Sequence, residues 1–168
     1  MMNDEENFRL AANSTRKWRD MEIRLLEEAG CDDLSYRPTT GMASPGWVLG
    51  HQAAVFDFTL NILIKQGSPK NEKLAKLYTP GTSGDWIDTS RDEIQEYYDS
   101  GESELLEWIG NASEPDLERV IEEGKAPSFF VGLTILQIVS NTFTHMDYHS
   151  GHLTAIRKDW EITHKANE

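Results

Sequence analysis

Four segments of the sequence repeat their apolar residues at close to the 3.6-residue period of an α-helix, and Gly and Pro residues lie between them. No part of the sequence suggests strands that alternate with helices. Amphipathic helices of this length bury their apolar faces best against one another. The sequence therefore predicts an all-α fold, a four-helix bundle with long crossover connections. The predicted helices cover about residues 8–29, 45–65, 90–109 and 133–158.

Two of these helices have clear start residues. Ser44 precedes Pro45, an order that suits an N-cap followed by a first helical residue with no need for its N–H. Ser90 is followed three residues later by Glu93, which predicts a capping box. The connections are less regular: residues 67–89 show no sustained period, and residues 111–132 suit either a short helix or a short extended pair.

The chain is long enough to fold as one domain, residues 1–168, without a disulfide or metal to stabilise it. Its single cysteine, Cys31, excludes a disulfide framework and a zinc site built from thiolates. No histidine lies near Cys31 in sequence to activate it as a nucleophile.

The formal net charge of −13 argues against a nucleic-acid partner, because phosphate binding needs clustered Lys and Arg. The longest apolar stretch, residues 48–64, is interrupted by His51, Gln52, Asp57 and Asn61, which predicts a buried core helix rather than a membrane span. The N-terminal residues do not have the order of a secretory signal, so we expect a cytoplasmic protein without membrane contact.

The histidines are the strongest candidates for functional residues in this sequence. His145, His149 and His152 share one narrow face of the last helix, and His51 lies on an apolar face of the second. A buried imidazole without a hydrogen-bond partner costs about 1–3 kcal/mol, so several buried together need a common partner. A shared metal ion supplies one, with His145 and His149 one helical turn apart and His51 as a third ligand from a facing helix.

Three neutral nitrogen ligands suit a divalent ion such as Zn, Ni or Fe(II), and they leave coordination positions open for water or substrate. Two plainer interpretations stay open on the residues alone. The histidines could be packed or solvated, or they could form a metal-free polar core in a protein that binds a small ligand between its helices.

Two segments carry a resemblance to the DinB-like family of metalloenzymes. Its pattern is Trp-x-x-Gly-His on the second helix and His-x-x-x-His-x-Gly-x-Leu or Ile on the last; the chain has WVLGH at 47–51 and HMDYHSGHL at 145–153. The resemblance implies a four-helix bundle, a homodimer, and a metal site onto which His51, His145 and His149 map one by one.

The chain departs from the family at Ser150 and His152, where many members have Arg and Gln beside the glycine. A fourth imidazole here could join the ligands, donate a proton, or hydrogen-bond a ligand, and we expect it to act from beside the site. Asp147 points away from the ligand face, and His164 is expected in solvent.

The resemblance implies a small-molecule substrate and two reaction classes. One is a thiol-dependent S-transferase, with a low-molecular-weight thiol as co-substrate, and the other is a metal-dependent hydrolase. We favour the transferase. The alternative function is a non-catalytic stress or interaction module, in which the metal only joins the second and fourth helices.

Overall fold

The structure, a computed structural model, describes residues 4–38 and 41–165. Within these ranges the chain is helical and forms no β-sheet, so the predicted all-α fold is confirmed. The α-helices are α1 (Asp4–Glu28), α2 (Pro45–Asp57), α3 (Glu72–Leu77), α4 (Arg91–Asn111), α5 (Glu114–Glu118) and α6 (Ile135–Lys165).

The four long helices contact one another in a ring, with α1 beside α6, α6 beside α2, α2 beside α4, and α4 beside α1. Helices α1 and α6 run in the same direction, because Phe8 stacks on Phe143 near one end and Trp160 donates a hydrogen bond to the Ala29 carbonyl near the other. Helix α2 runs opposite to α6.

Helices α2 and α4 are also parallel, since Leu49 lines a small cavity with Ile94 while Phe56 contacts Tyr98 further along both helices. Parallel neighbours cannot be joined by a tight turn, so the chain must return along the length of the ring. The connection 65–90 does this, and it contains α3, which the lack of period did not predict.

The predicted start residues are confirmed, but the capping box predicted at Ser90 is only half formed, because the Glu93 carboxylate pairs with Lys73 and does not accept from the Ser90 amide. The Ser44 hydroxyl accepts from the Trp47 amide at 3.2 Å, and the Ser90 hydroxyl accepts from the Glu93 amide at 3.1 Å. The ends differ more: α6 continues to Lys165, beyond the predicted end near residue 158.

The second helix does not stay α-helical to its end. Residues Phe58–Ile64 continue it as a π-helix, a change that the apolar run from 58 to 64 gave no sign of. Helical segments of this type occur frequently at functional sites. Here Phe58, Thr59 and Ile62 form a wall of the largest cavity near the histidines.

The connection 112–134 contains both elements that the sequence left open. Helix α5 occupies its first part, and Val120 then forms an isolated antiparallel bridge with Thr134. The Ile121 amide donates to the Leu133 carbonyl, and the Gly132 amide donates to the Ile121 carbonyl. These bonds hold the turn at residues 128–130 against the start of α6.

Two residues of α1 do not lie on the side of the helix that its apolar period predicts. The helical period places Trp18 in the buried stripe and Arg19 largely outside it, but Trp18 is 52% exposed and Arg19 only 3%. The reason is that Arg19 has partners inside: its guanidinium lies 4.1 Å from the centre of the Tyr98 ring and donates to the Gln95 side chain. A buried charge is tolerated when such partners replace water.

The segment Pro45–Ile64 is long and apolar enough to cross a membrane by length and composition. In the structure, 72% of its apolar 18-residue window is buried inside the protein. That burial is expected of the core helix of a folded domain, as the polar interruptions of the sequence predicted.

Candidate metal centre

His51 is held in one orientation by the residues around the start of α2. A Cβ at Gly50 would lie 2.5 Å from the Tyr78 ring, so only glycine allows the ring to pack there. This packing brings the Tyr78 carbonyl oxygen to 2.7 Å from Nδ1 of His51. Because a carbonyl only accepts, Nδ1 carries the proton, and Nε2 is left with a free lone pair.

Trp47 packs against one face of the same imidazole ring. The two rings stack with centroids 4.7 Å apart and planes 11° apart. The indole Nε1 donates to the Thr82 hydroxyl at 2.8 Å, which fixes the tryptophan in turn. Trp47 therefore positions a histidine, and the cavity described below is lined by other residues.

The three predicted ligands come together. His145 Nε2 lies 3.0 Å from Nε2 of His51 and 3.0 Å from Nε2 of His149. One nitrogen from each of the three rings lies within 4.8 Å of the others. His51 and His149 are buried and His145 is half-buried.

Hydrogen bonds alone do not satisfy this cluster. A neutral imidazole has one donor and one acceptor, and the Tyr78 carbonyl already takes the only proton of His51. His145 could donate one proton between His51 and His149, so the two rings would share it. Nδ1 of His149 is buried and has no partner among the described residues.

The donor set fits a divalent ion. Burial, together with the neighbouring imidazoles, lowers the pKa of His51 to about 4, and it holds the pKa of His145 and of His149 below the usual range. The rings are therefore neutral near pH 7, as metal ligands must be. With metal–nitrogen bonds of about 2.0–2.1 Å, neighbouring ligand nitrogens lie roughly 3–3.4 Å apart, close to the separations found here.

His152 lies beside the cluster and outside the ligand set. Its ring centroid is 5.0 Å from that of His149 and 4.5 Å from that of Tyr148, which is itself exposed. Burial lowers the pKa of His152, so this ring is also neutral near pH 7. Its predicted role beside the site stays a prediction.

The other polar residues of these helices lie elsewhere. Asp147 is exposed and His164 stacks on Trp160 at the surface, as expected. Asp57 is buried, and its carboxylate accepts hydrogen bonds from the side-chain amide of Asn61 and from the Tyr97 hydroxyl. It stabilises the packing of α2 on α4 and has no contact with the histidines.

A cavity of about 470 Å³ opens on one side of the cluster, where His51 and His145 form part of its wall. Its other walls come from the π-helix, α3 and the turn after it, the 127–130 turn, and α6. Sequence analysis missed this cavity and the role of Tyr78. Both depend on the connections 65–90 and 112–134, where no periodic pattern exists.

A family model for the DinB superfamily matches residues 15–153, a range that includes the three histidines of the cluster and His152 beside them. Among curated proteins, none matches the chain.

Proposed function

This chain belongs to the DinB superfamily, and from its histidine cluster we propose that it is a divalent-metal-dependent enzyme acting on a small molecule. His51, His145 and His149 would hold the ion. The observation that carries the proposal is the approach of Nε2 of His51 and of His149 to within 3.0 Å of the same His145 nitrogen. No hydrogen-bonding scheme satisfies that arrangement, whereas a shared ion does.

The position of the cavity supports an enzyme over a metal that only joins two helices. Three protein ligands leave coordination positions open, and the cavity reaches His51 and His145. A divalent ion held there supplies Lewis acidity, which lowers the pKa of a thiol or water molecule beside it. The walls of the cavity exclude bulk water and orient the second reactant.

Of the two reaction classes, we favour the thiol-dependent S-transferase. Hydrolysis needs a base to take the proton of water, and the described residues that line the cavity include no Asp or Glu. A thiol has an ordinary pKa of about 8.5, so it loses its proton more readily than water does and depends less on a neighbouring base. The chain's own thiol is a poor candidate, because burial raises the pKa of Cys31 to about 11.

His152 is proposed to act as a positioning residue. It contacts the His149 ring edge to face and does not line the cavity, so it would set the orientation of a ligand rather than touch substrate. We further propose a cytoplasmic location, from the sequence, and a homodimer, which the resemblance to the family implies.

Elemental analysis of the purified protein tests the metal site, with His51→Ala and His149→Ala beside the wild type. His164→Ala is the matched control, since His164 is exposed and outside the cluster. We expect about one ion per chain in the wild type and the control, and loss in both cluster variants. Wild-type protein that takes up no Zn, Ni or Fe(II) would contradict the proposal.

Cobalt-loaded protein distinguishes an enzyme from a non-catalytic metal site. If a coordination position is open, adding a low-molecular-weight thiol should produce a sulfur-to-cobalt absorption band. An unchanged spectrum would favour the alternative in which the metal only joins α2 and α6. Thiol consumption with a panel of electrophiles, beside an ester hydrolysis panel, then separates the two reaction classes.

A further inference from the structure

The cavity beside the histidines has walls without formal charge. None of the described residues that line it is Asp, Glu, Lys or Arg. Most of the lining side chains are aliphatic or aromatic, among them Val55, Phe58, Ile62, Phe129, Phe130 and Ile138. Its volume, about 470 Å³, is within the range of small-molecule sites.

The polar side chains of the cavity are few, and two of them bind each other. The Thr59 and Thr142 hydroxyls are 2.9 Å apart, and the Thr142 hydroxyl also donates to the Ile138 carbonyl. Asn141 is exposed and lies one helical turn before His145. The polar groups of the cavity that remain for a ligand are therefore the histidines, Asn141 and the exposed Thr79, and most of the other lining side chains are apolar.

The rim of the cavity is aromatic. Phe129 lines the cavity although its side chain is 73% exposed, and its ring lies 4.3 Å from that of Phe130. Phe130 in turn contacts Phe58 on the π-helix, with ring centroids 5.9 Å apart. Aromatic side chains at the rim contribute large apolar contact areas to a ligand that enters there.

Charged ligands are disfavoured in this cavity. A buried charge that loses its hydration without an opposite charge costs several kcal/mol. Anions are further disfavoured by the net charge of −13, which gives the whole protein a repelling field. Organic cations find no carboxylate on the described walls and would face a metal ion at the far end.

We infer that this cavity binds an uncharged, apolar small molecule, aromatic or branched aliphatic, with its reactive polar end at the histidine cluster. The placement of the reactive end rests on the proposed function. The preference for an uncharged apolar body rests on the walls alone. In a thiol transfer, the occupant would be the electrophile rather than a charged low-molecular-weight thiol.

Fluorescence of the neutral probe N-phenyl-1-naphthylamine tests the inference in zinc-loaded and chelator-treated protein. We expect saturable binding in both states, since the walls do not include the ion. The bound probe is then displaced with three ligands of similar shape and different charge: naphthalenemethanol, naphthoate and naphthylmethylammonium. In chelator-treated protein, the alcohol should displace the probe at a concentration at least about tenfold lower than either ion.

Two variants assign the signal to this cavity. Ala75→Phe fills it from α3, and Ala155→Phe adds the same ring at an exposed position of α6 outside it. We expect at least about tenfold weaker probe binding for the first and no change for the second. Asn141→Lys is a second test, because it adds a positive charge at the polar end of the cavity and leaves the apolar side chains in place. It should improve displacement of the probe by naphthoate.

No saturable probe binding in either metal state, or equal displacement by the alcohol and both ions in chelator-treated protein, would overturn the inference. Unchanged binding in a folded Ala75→Phe protein would do so too. Metal stoichiometry is measured separately, so a protein that binds the probe but no zinc refutes the proposed enzyme and retains the apolar cavity.

Discussion

The main-chain oxygen of Tyr78 lies 2.7 Å from Nδ1 of His51, so the residue that caps the end of α3 fixes the tautomer of a candidate metal ligand on α2. Outer hydrogen bonds of this type orient ligand imidazoles and raise their basicity. The Tyr78 ring also packs on Gly50, and its hydroxyl donates to Thr89. A short helix in a long connection thus supports the cluster.

Gly50→Ala tests this support. The added Cβ would lie 2.5 Å from the Tyr78 ring, so the ring and its carbonyl must move. We expect a loss of about 1–3 kcal/mol in the free energy of unfolding, measured with urea. Zinc affinity should fall by about 10–100-fold, because the Tyr78 carbonyl would no longer hold His51.

Gly151→Ala is the control for that variant. Gly151 lies in α6, and a Cβ there meets nothing within 4 Å. Alanine should therefore stabilise the helix by about 0.5–1 kcal/mol and leave zinc binding unchanged. Equal zinc affinity in Gly50→Ala and the wild type would show that Tyr78 does not orient the ligand.

Replacing Trp47 with Leu tests the stacking contact on His51. The change removes the ring 4.7 Å from the imidazole and the hydrogen bond to Thr82. We expect zinc affinity to fall by about 10-fold or more, measured by competition with a chromogenic chelator. Trp18→Leu removes the same side chain at an exposed position and should keep wild-type affinity.

The pairing of His145 with His149 could be predicted because its geometry is local, whereas His51 was assigned from a facing helix and from the resemblance to the family. His149 follows His145 by four positions, and any α-helix places such a pair on one face. Trp47 and Gly50 stand out in the sequence as part of a pattern, but the role of Gly50 depends on Tyr78, which is 27 residues from His51 along the chain, and that of Trp47 depends on Thr82. No helical period links residues across such a connection.

The cavity and the buried Arg19 were beyond prediction for a related reason. The cavity exists where separate segments meet, and its π-helical wall replaces an α-helix without any change in the type of residue. Arg19 is buried because α4 supplies Tyr98 and Gln95 opposite it. Hydrophobic periodicity describes one helix at a time and cannot include a partner helix.

His152→Ala should separate a positioning role from a ligand role. We expect about one metal ion per chain to remain, because the proposed ligands are the three other histidines. Thiol transfer should fall, and His152→Gln should restore part of kcat, since an amide keeps a polar group beside His149. Metal loss as complete as in His149→Ala would identify His152 as a ligand.

Acidification should destabilise the metal-free protein through its buried histidines. His51 has an ordinary pKa near 6.5 when unfolded and about 4 when folded, so between these values the unfolded chain binds more protons. The stability from neutral His51 is complete above pH 6.5 and is lost as the pH falls towards 4. Its contribution to the slope is at most about 1.4 kcal/mol per pH unit.

His51→Gln removes this titration, so urea unfolding of the chelator-treated variant should depend less steeply on pH between 4 and 6.5 than that of the wild type. His164→Gln is the matched control, because it makes the same replacement at an exposed position outside the cluster. Parallel curves for wild type and His51→Gln would mean that His51 titrates alike in the folded and unfolded chain. In that case the imidazole would be hydrated in solution, and the convergence of three neutral ring nitrogens would lose its physical basis.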